Sequence, residues 1–188
     1  MTELRPIPAR PGLGAPRARL DEILRVDHAG EVAAVQIYRA QAAVFGASRR
    51  TASIAGRMKA MGAQEADHLA AFEALLNARN TRPSLLSPFW RAAAFALGAG
   101  TALLGEKAAH ACTEAVESVI EQHYAGQVQE LADSEPELAQ TLSRFRDDEL
   151  VHQVEAVEQG AHAAPAYALL SAVIRAGCRA AIKTAEKI

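Results

Sequence analysis

Glutamate and histidine stand three residues apart twice in this chain, as Glu65 with His68 and as Glu149 with His152. Each pair follows a lone glutamate at nearly the same distance: Glu31 lies 34 residues before Glu65, and Glu117 lies 32 before Glu149. Few architectures satisfy that repeat. On an α-helix, residues three apart share one face a turn apart, so a carboxylate oxygen and an imidazole nitrogen can hold one metal ion together. A glutamate facing each pair completes or bridges the shell. Four carboxylates and two imidazoles match a pair of ferrous ions in charge. Without metal, four glutamates converging in an apolar interior repel one another and lose hydration, at a cost of several kcal/mol per ion unless they take up protons.

The composition alone predicts about half an accidental Glu-x-x-His pair, so the pairs gain their weight from geometry. The midpoint of Glu31 and Glu65 falls at residue 48, beside Gly46 and Ser48, and that of Glu117 and Glu149 at residue 133, beside Ser134 and Pro136. Both are turn or cap signals. In a hairpin of antiparallel helices, residues equidistant from the turn sit level, so each lone glutamate meets its pair across the interface. Ser134 and Glu137 have capping-box spacing ahead of the second return helix.

Each candidate ligand also interrupts an apolar helical stripe. One runs Leu24, His28, Glu31, Val35, Tyr38, Ala42, Phe45, and its partner Met58, Met61, Glu65, His68, Phe72, Leu76. The other two run Leu103, His110, Glu117, Ile120, Tyr124, Val128, Leu131 and Leu138, Leu142, Phe145, Glu149, His152, Ala156. Spacings of three, four and seven place these glutamates on core-facing sides. Glu114 and Glu121 neighbour Glu117 and compete for its assignment.

The 188 residues suit one domain with a substantial core. Half of them are hydrophobic but only 5% aromatic, and no alternating β-branched runs occur, so the expectation is all-α. A net charge of -2 and the lack of a basic, aromatic-studded patch argue against nucleic-acid binding. Cys112 and Cys178 form no Cys-x-x-Cys site, which excludes a zinc ribbon or rubredoxin-like centre, and a reducing cytoplasm is the default setting. Residues 1–19 read as a flexible basic Pro/Arg-rich arm without the apolar centre of a secretory signal. Helices are predicted over 20–46, 49–79, 89–132, 136–162 and 165–187, in one domain spanning 20–188, with 80–88 as a crossover between two hairpins.

Fourteen apolar residues, Ala92–Gly105, are too few to span a bilayer and read either as a buried helix segment or as an interfacial one anchored by Phe89 and Trp90. In the last helix Arg175, Arg179, Lys183 and Lys187 form a row beside Leu170, Ile174, Cys178 and Ile182. Such a pattern suits a peripheral contact with an anionic membrane, and cations there also favour the helix C-terminus.

The segment from Leu24 to Glu31 (LRVDHAGE), with Ile37, Tyr38 and Gln41, resembles the opening block of the demethoxyubiquinone hydroxylases, di-iron monooxygenases of ubiquinone biosynthesis. So do Gln64–His68 (QEADH), Ala111–Glu117 (ACTEAVE) with His123 and Tyr124, and Phe145–His152 (FRDDELVH), in the same order. The resemblance runs from about Leu20 to the C-terminus; Val32 stands where an aromatic residue is common. It implies a ferritin-like four-helix bundle with a di-iron centre plus an additional C-terminal helix. Carried over by position, the metal ligands and catalytic residues are Glu31, Glu65, His68, Glu117, Glu149 and His152. The implied reaction is O2-dependent hydroxylation of a demethoxylated polyprenyl benzoquinol, with two irons per chain and reducing equivalents from NADH. It further implies peripheral binding to the cytoplasmic side of the cell membrane, with other ubiquinone-biosynthesis proteins and further copies of the chain as candidate partners.

Asp27 and Asp148 are candidates to hold the ligating imidazoles, since such rings donate their second N–H to a carboxylate or carbonyl. His28, His110, His123 and Tyr124 lie near the stripes, and packed roles outweigh catalytic ones for each. No Gly-rich strand-to-helix turn marks a nicotinamide site. Another ferritin-like oxidase or peroxidase, an iron-storage protein and a purely structural bundle are the rival readings.

Overall fold

The computed structural model describes residues 16–187, and most of the predicted basic arm lies outside them. Helix α1 spans Pro16–Gly46, α2 Ala52–Arg79, α3 Ser87–Leu103, α4 Glu106–Leu131, α5 Pro136–Glu158 and α6 Tyr167–Ala185, with single 3-10 turns at Arg49–Thr51 and Ala161–Ala163. No strand occurs among the described residues. Helices α1, α2, α4 and α5 form the expected ferritin-like bundle as two antiparallel hairpins. Two helices lie outside it rather than one.

The turns fall where the ligand spacing places them. Between α1 and α2, Ser48 Oγ accepts from the Arg50 N–H at 3.2 Å, and the Thr51 hydroxyl donates to the Phe45 carbonyl. Between α4 and α5, Pro136 occupies the first turn, where its missing N–H costs nothing. The expected Ser134–Glu137 capping box does not form: the cap residue is Glu135, without a side-chain cap bond. Its carboxylate is instead paired with Arg79 at 2.8 Å, tying the start of α5 to the end of α2.

The predicted helix 89–132 is two helices. Gly105 has φ 110° and ψ 171°, a conformation L side chains rarely adopt, and the chain turns there. Separated from α4, helix α3 lies along the outer side of α1. Contact is so close at Gly98 that an added Cβ would stand 2.4 Å from the Ile37 carbonyl oxygen. Only glycine fits there without moving α3. Helix α1 begins at Pro16, four residues before the expected start, and α5 stops at Glu158, short of the expected 162.

Two apolar layers sandwich the bundle's middle. Ile23, Leu24, Phe72, Leu76, Leu138 and Leu142 pack at one level, and Phe45, Ile54, Met58 and Met61 at the other. Full burial of side chains such as Leu142 contributes about 1.5–3 kcal/mol each, which holds the polar residues between the layers in place. Polar links join α2 to α5: Arg79 to Glu135, His68 to Asp148, His152 to Gln64 and Arg57 to Gln159.

Candidate metal centre

Between the apolar layers the four bundle helices each present one carboxylate inward, and α2 and α5 each add an imidazole. Glu31, Glu65, His68 and Glu149 form one group whose ligand atoms lie within 4.8 Å of one another, and Glu65, Glu117, Glu149 and His152 form a second. Glu65 and Glu149 belong to both. His68 Nδ1 is 3.8 Å from Glu31, 3.6 Å from Glu65 and 3.4 Å from Glu149, while His152 Nδ1 is 3.0 Å from Glu65 and 3.6 Å from Glu149. All six residues are buried.

Their hydrogen bonding is incomplete in a revealing way. Glu31 Oε2, Glu65 Oε1, Glu117 Oε2, both Glu149 oxygens and the Nδ1 atoms of His68 and His152 are buried without a hydrogen-bond partner. Such orphans are rare in folded proteins, because leaving one costs about 1–3 kcal/mol. Here they converge, and oxygen and imidazole donors suit divalent iron. The residues present therefore fit a pair of metal ions.

The outward atoms of the same side chains are held. Tyr38 donates to Glu117 Oε1 at 2.5 Å and Tyr124 to Glu31 Oε1. His68 Nε2 lies 3.1 Å from Asp148 Oδ2, and His152 Nε2 lies 3.1 Å from Gln64 Oε1. Each ring is thus oriented with Nδ1 toward the centre.

Protons take the place of metal charge in the metal-free cluster. Burial, reinforced by the neighbouring carboxylates Glu65 and Glu149, raises Glu31 and Glu117 well above the ordinary glutamate range. Burial opposes charge on the imidazoles, yet the Glu149 and Glu65 carboxylates 3.0–3.6 Å away outweigh it and push His68 up to about 11 and His152 to about 10. Glu65 runs the other way: burial favours its neutral form, but the two imidazoles 3.0 and 3.6 Å away bring it down to about 2. These opposite directions are consistent, since Glu65 sits between two cationic rings whereas Glu31 and Glu117 face carboxylates and a tyrosine each.

Other candidates go elsewhere. Glu114 points to α6, binding Arg175 at 2.5 Å and Tyr167 at 3.1 Å. Glu121 is only partly buried and outside both groups. Asp27 does not hold a ligating imidazole; it accepts from Gln127 at 2.8 Å and lies 3.3 Å from His123. His28 and fully buried His110 are also outside the groups, and burial lowers both, His110 to about 4. Sequence reasoning missed Gln64. It could have been found by symmetry, because Gln64 precedes Glu65 as Asp148 precedes Glu149.

The chain matches known proteins over nearly its whole length. The family model for Ubiquinone biosynthesis protein COQ7 matches residues 18–185. A 3-demethoxyubiquinol 3-hydroxylase of Rhodospirillum rubrum is 49% identical over 178 residues, covering 95% of this chain and 82% of that protein. The human NADPH-dependent 3-demethoxyubiquinone 3-hydroxylase, mitochondrial, is 47% identical over 176 residues, covering 92% and 79%. The 5-demethoxyubiquinone hydroxylase, mitochondrial, of Saccharomyces cerevisiae is 42% identical over 189 residues, covering 93% and 80%. An all-helical bundle with two Glu-x-x-His pairs, matched along nearly its whole length, belongs to the COQ7 family of ubiquinone biosynthesis proteins.

Proposed function

We propose that this chain hydroxylates a demethoxylated polyprenyl benzoquinol, using O2, two irons per chain and electrons from a nicotinamide nucleotide. The observation that carries the reading is the convergence of seven unpartnered ligand atoms from six buried side chains in a member of this family. Family membership favours it over the peroxidase, storage and structural readings. A bound pair of ferrous ions supplies electrons and Lewis acidity for O2-dependent hydroxylation.

The chain's own residues do the rest. Glu31, Glu65, His68 and Glu149 would hold one metal, and Glu65, Glu117, Glu149 and His152 the other. Tyr38 and Tyr124 fix the two terminal carboxylates, Asp148 and Gln64 fix the rings, and the apolar layers exclude bulk water. One oxygen atom enters the quinol ring and the other leaves as water, which takes two further electrons and two protons. The relatives from mammals carry NADPH in their names, so the expected NADH is best tested beside NADPH.

The substrate's tail needs an apolar approach. A pocket of about 370 Å³ between α1, α3, α4 and α6, walled by Ala33, Ile37, Leu97, Val116 and Ile174, backs onto the α1–α4 pair that carries Glu31 and Glu117. No helix among the described residues is long and apolar enough to cross a membrane. Helix α3 buries Ala94, Gly98 and Ala102 but exposes Phe89, Phe95 and Leu103, and α6 exposes Leu169 and Val173. This apolar face, with Arg179, Lys183 and Lys187, forms a peripheral membrane contact on the cytoplasmic side. Arg175 drops out of the predicted basic row, because its guanidinium turns inward to Glu114 and Ser118.

Anaerobic loading with ferrous iron, followed by O2, a demethoxyquinol and either nucleotide, tests the proposal. Hydroxylated quinol in amounts that require iron is the expected product. Iron oxidation without any ring hydroxylation would reject the assignment in favour of an oxidase or storage role.

A further inference from the structure

The two halves of the centre repeat one another in their ligands but not in the group that holds each imidazole. Each imidazole is held at Nε2 by the residue that precedes the other pair's glutamate, at 3.1 Å in both cases. For His152 that residue is Gln64, a neutral amide. For His68 it is Asp148, a carboxylate. The remaining partners match: Tyr124 holds Glu31 as Tyr38 holds Glu117, and Glu65 and Glu149 are common to both groups.

A carboxylate and an amide carbonyl both accept the Nε2 proton and so point Nδ1 at the metal. Only the carboxylate also adds negative charge one ring away from the cation and makes the imidazole a stronger donor. The Asp148 side chain is 41% exposed, so solvent screens part of its direct field. Screening leaves the hydrogen bond through the ring in place, and partners of this kind change metal affinity by about 10- to 100-fold. Packing acts in the same direction. Phe145 stacks on His68 with ring centroids 4.1 Å apart, while Tyr38 meets His152 edge-on at 6.1 Å, so His68 is the more firmly clamped ring.

We infer that the two metal positions are unequal: the one built from Glu31, Glu65, His68 and Glu149 binds its divalent cation more tightly than the one built from Glu65, Glu117, Glu149 and His152, because Asp148 backs His68 where Gln64 backs His152. The inference rests on reading the cluster as a two-metal site. Metal then fills the His68 position first, and a chelator empties the His152 position first, passing through a chain with one ion. Asp148 is a positioning residue, acting through His68.

Anaerobic titration of the metal-free full chain with cobalt(II), followed by visible absorption and calorimetry, tests this directly. The wild type should bind in two steps separated by about 10-fold or more. Asp148→Asn should weaken the tighter step by about 10- to 100-fold and leave the other nearly unchanged, so that the gap between the steps closes or reverses. Gln64→Glu should tighten the weaker step. Two equal steps in the wild type, or an Asp148→Asn variant that weakens both alike or neither, would overturn the inference while leaving the two-metal reading intact. Absence of any cobalt binding would sink the metal reading as well.

Discussion

The Tyr38 hydroxyl donates to Glu117 Oε1 at 2.5 Å, joining the first hairpin to the second across the centre of the bundle. Tyr38 stands seven residues after Glu31, and Tyr124 stands seven after Glu117 and returns the contact to Glu31. Seven residues are two helical turns, so each glutamate and its tyrosine share one face, and the two contacts are reciprocal. Both phenols are buried, and burial followed by the adjoining glutamate raises each well above the ordinary tyrosine range, so they remain donors. Tyr38→Phe or Tyr124→Phe should lower the stability of the metal-free protein by about 1–3 kcal/mol, because a buried carboxylate oxygen loses its donor. Denaturant unfolding measures it; an unchanged midpoint in both variants contradicts the proposed role.

Metal binding should release protons. His68 and His152 are raised to about 11 and 10, and Glu31 and Glu117 are raised as well, so loading two divalent cations near neutral pH should displace about two protons from the imidazoles and any that the two carboxyls hold, countable by calorimetry in buffers of different ionisation enthalpy. Release of fewer than about two would mean that the cluster is not protonated as described.

The same shifts give stability a sign. The imidazoles contribute stability fully below their unfolded value of 6.5 and lose it as pH rises through about 10 and 11. Glu31 and Glu117 also favour the fold below their unfolded 4.5 and lose that contribution as pH rises through their elevated values. Glu65 acts oppositely, but its contribution is lost only as pH falls toward about 2. Metal binding, which requires deprotonated ligands, strengthens as pH rises. The gap in melting temperature between metal-loaded and metal-free protein should therefore widen from about pH 6 to about pH 8; a gap that narrows refutes this account.

Shared and unshared ligands should behave differently. Glu149→Ala touches both positions and should bring bound metal close to zero, with helicity retained. Glu117→Ala should leave about one ion per chain, since Glu117 belongs to only one group. Glu121→Ala should change neither metal nor activity. Metal analysis and circular dichroism on the purified variants decide it, and full occupancy in Glu149→Ala would break the assignment.

Membrane contact and helix docking should separate by mutation. Changing Arg179, Lys183 and Lys187 to Gln should weaken co-sedimentation with anionic vesicles by about 1 kcal/mol per charge at low salt, with turnover of a short-tailed quinol spared. Arg175→Gln should instead cost about 2 kcal/mol of stability, because it removes the charged hydrogen bonds that pin α6 to Glu114 and Ser118. Equal vesicle binding by the triple variant and wild type would rule out the basic row as an anchor.

The sequence by itself determined the hairpins and the composition of the cluster. Equal spacing about two turns and apolar periods of three and four are local rules, and they were enough to bring Glu31 to Glu65 and His68, and Glu117 to Glu149 and His152. Tertiary structure decided what depends on contacts distant in the chain. The break at Gly105 was hidden because the seven-residue steps from Leu103 to His110 to Glu117 read as one stripe across it, and periodicity does not report a change of direction. Arg175 faces inward because Glu114, sixty-one residues away, is buried beside it; a row of cations at four-residue spacing looks the same whether it meets lipid or a carboxylate. Gln64 and Asp148 likewise reach across the α2–α5 seam to the other pair's imidazole. Spacing along one helix specifies which side chains share a face, and only the packing of that face against another helix specifies what they touch.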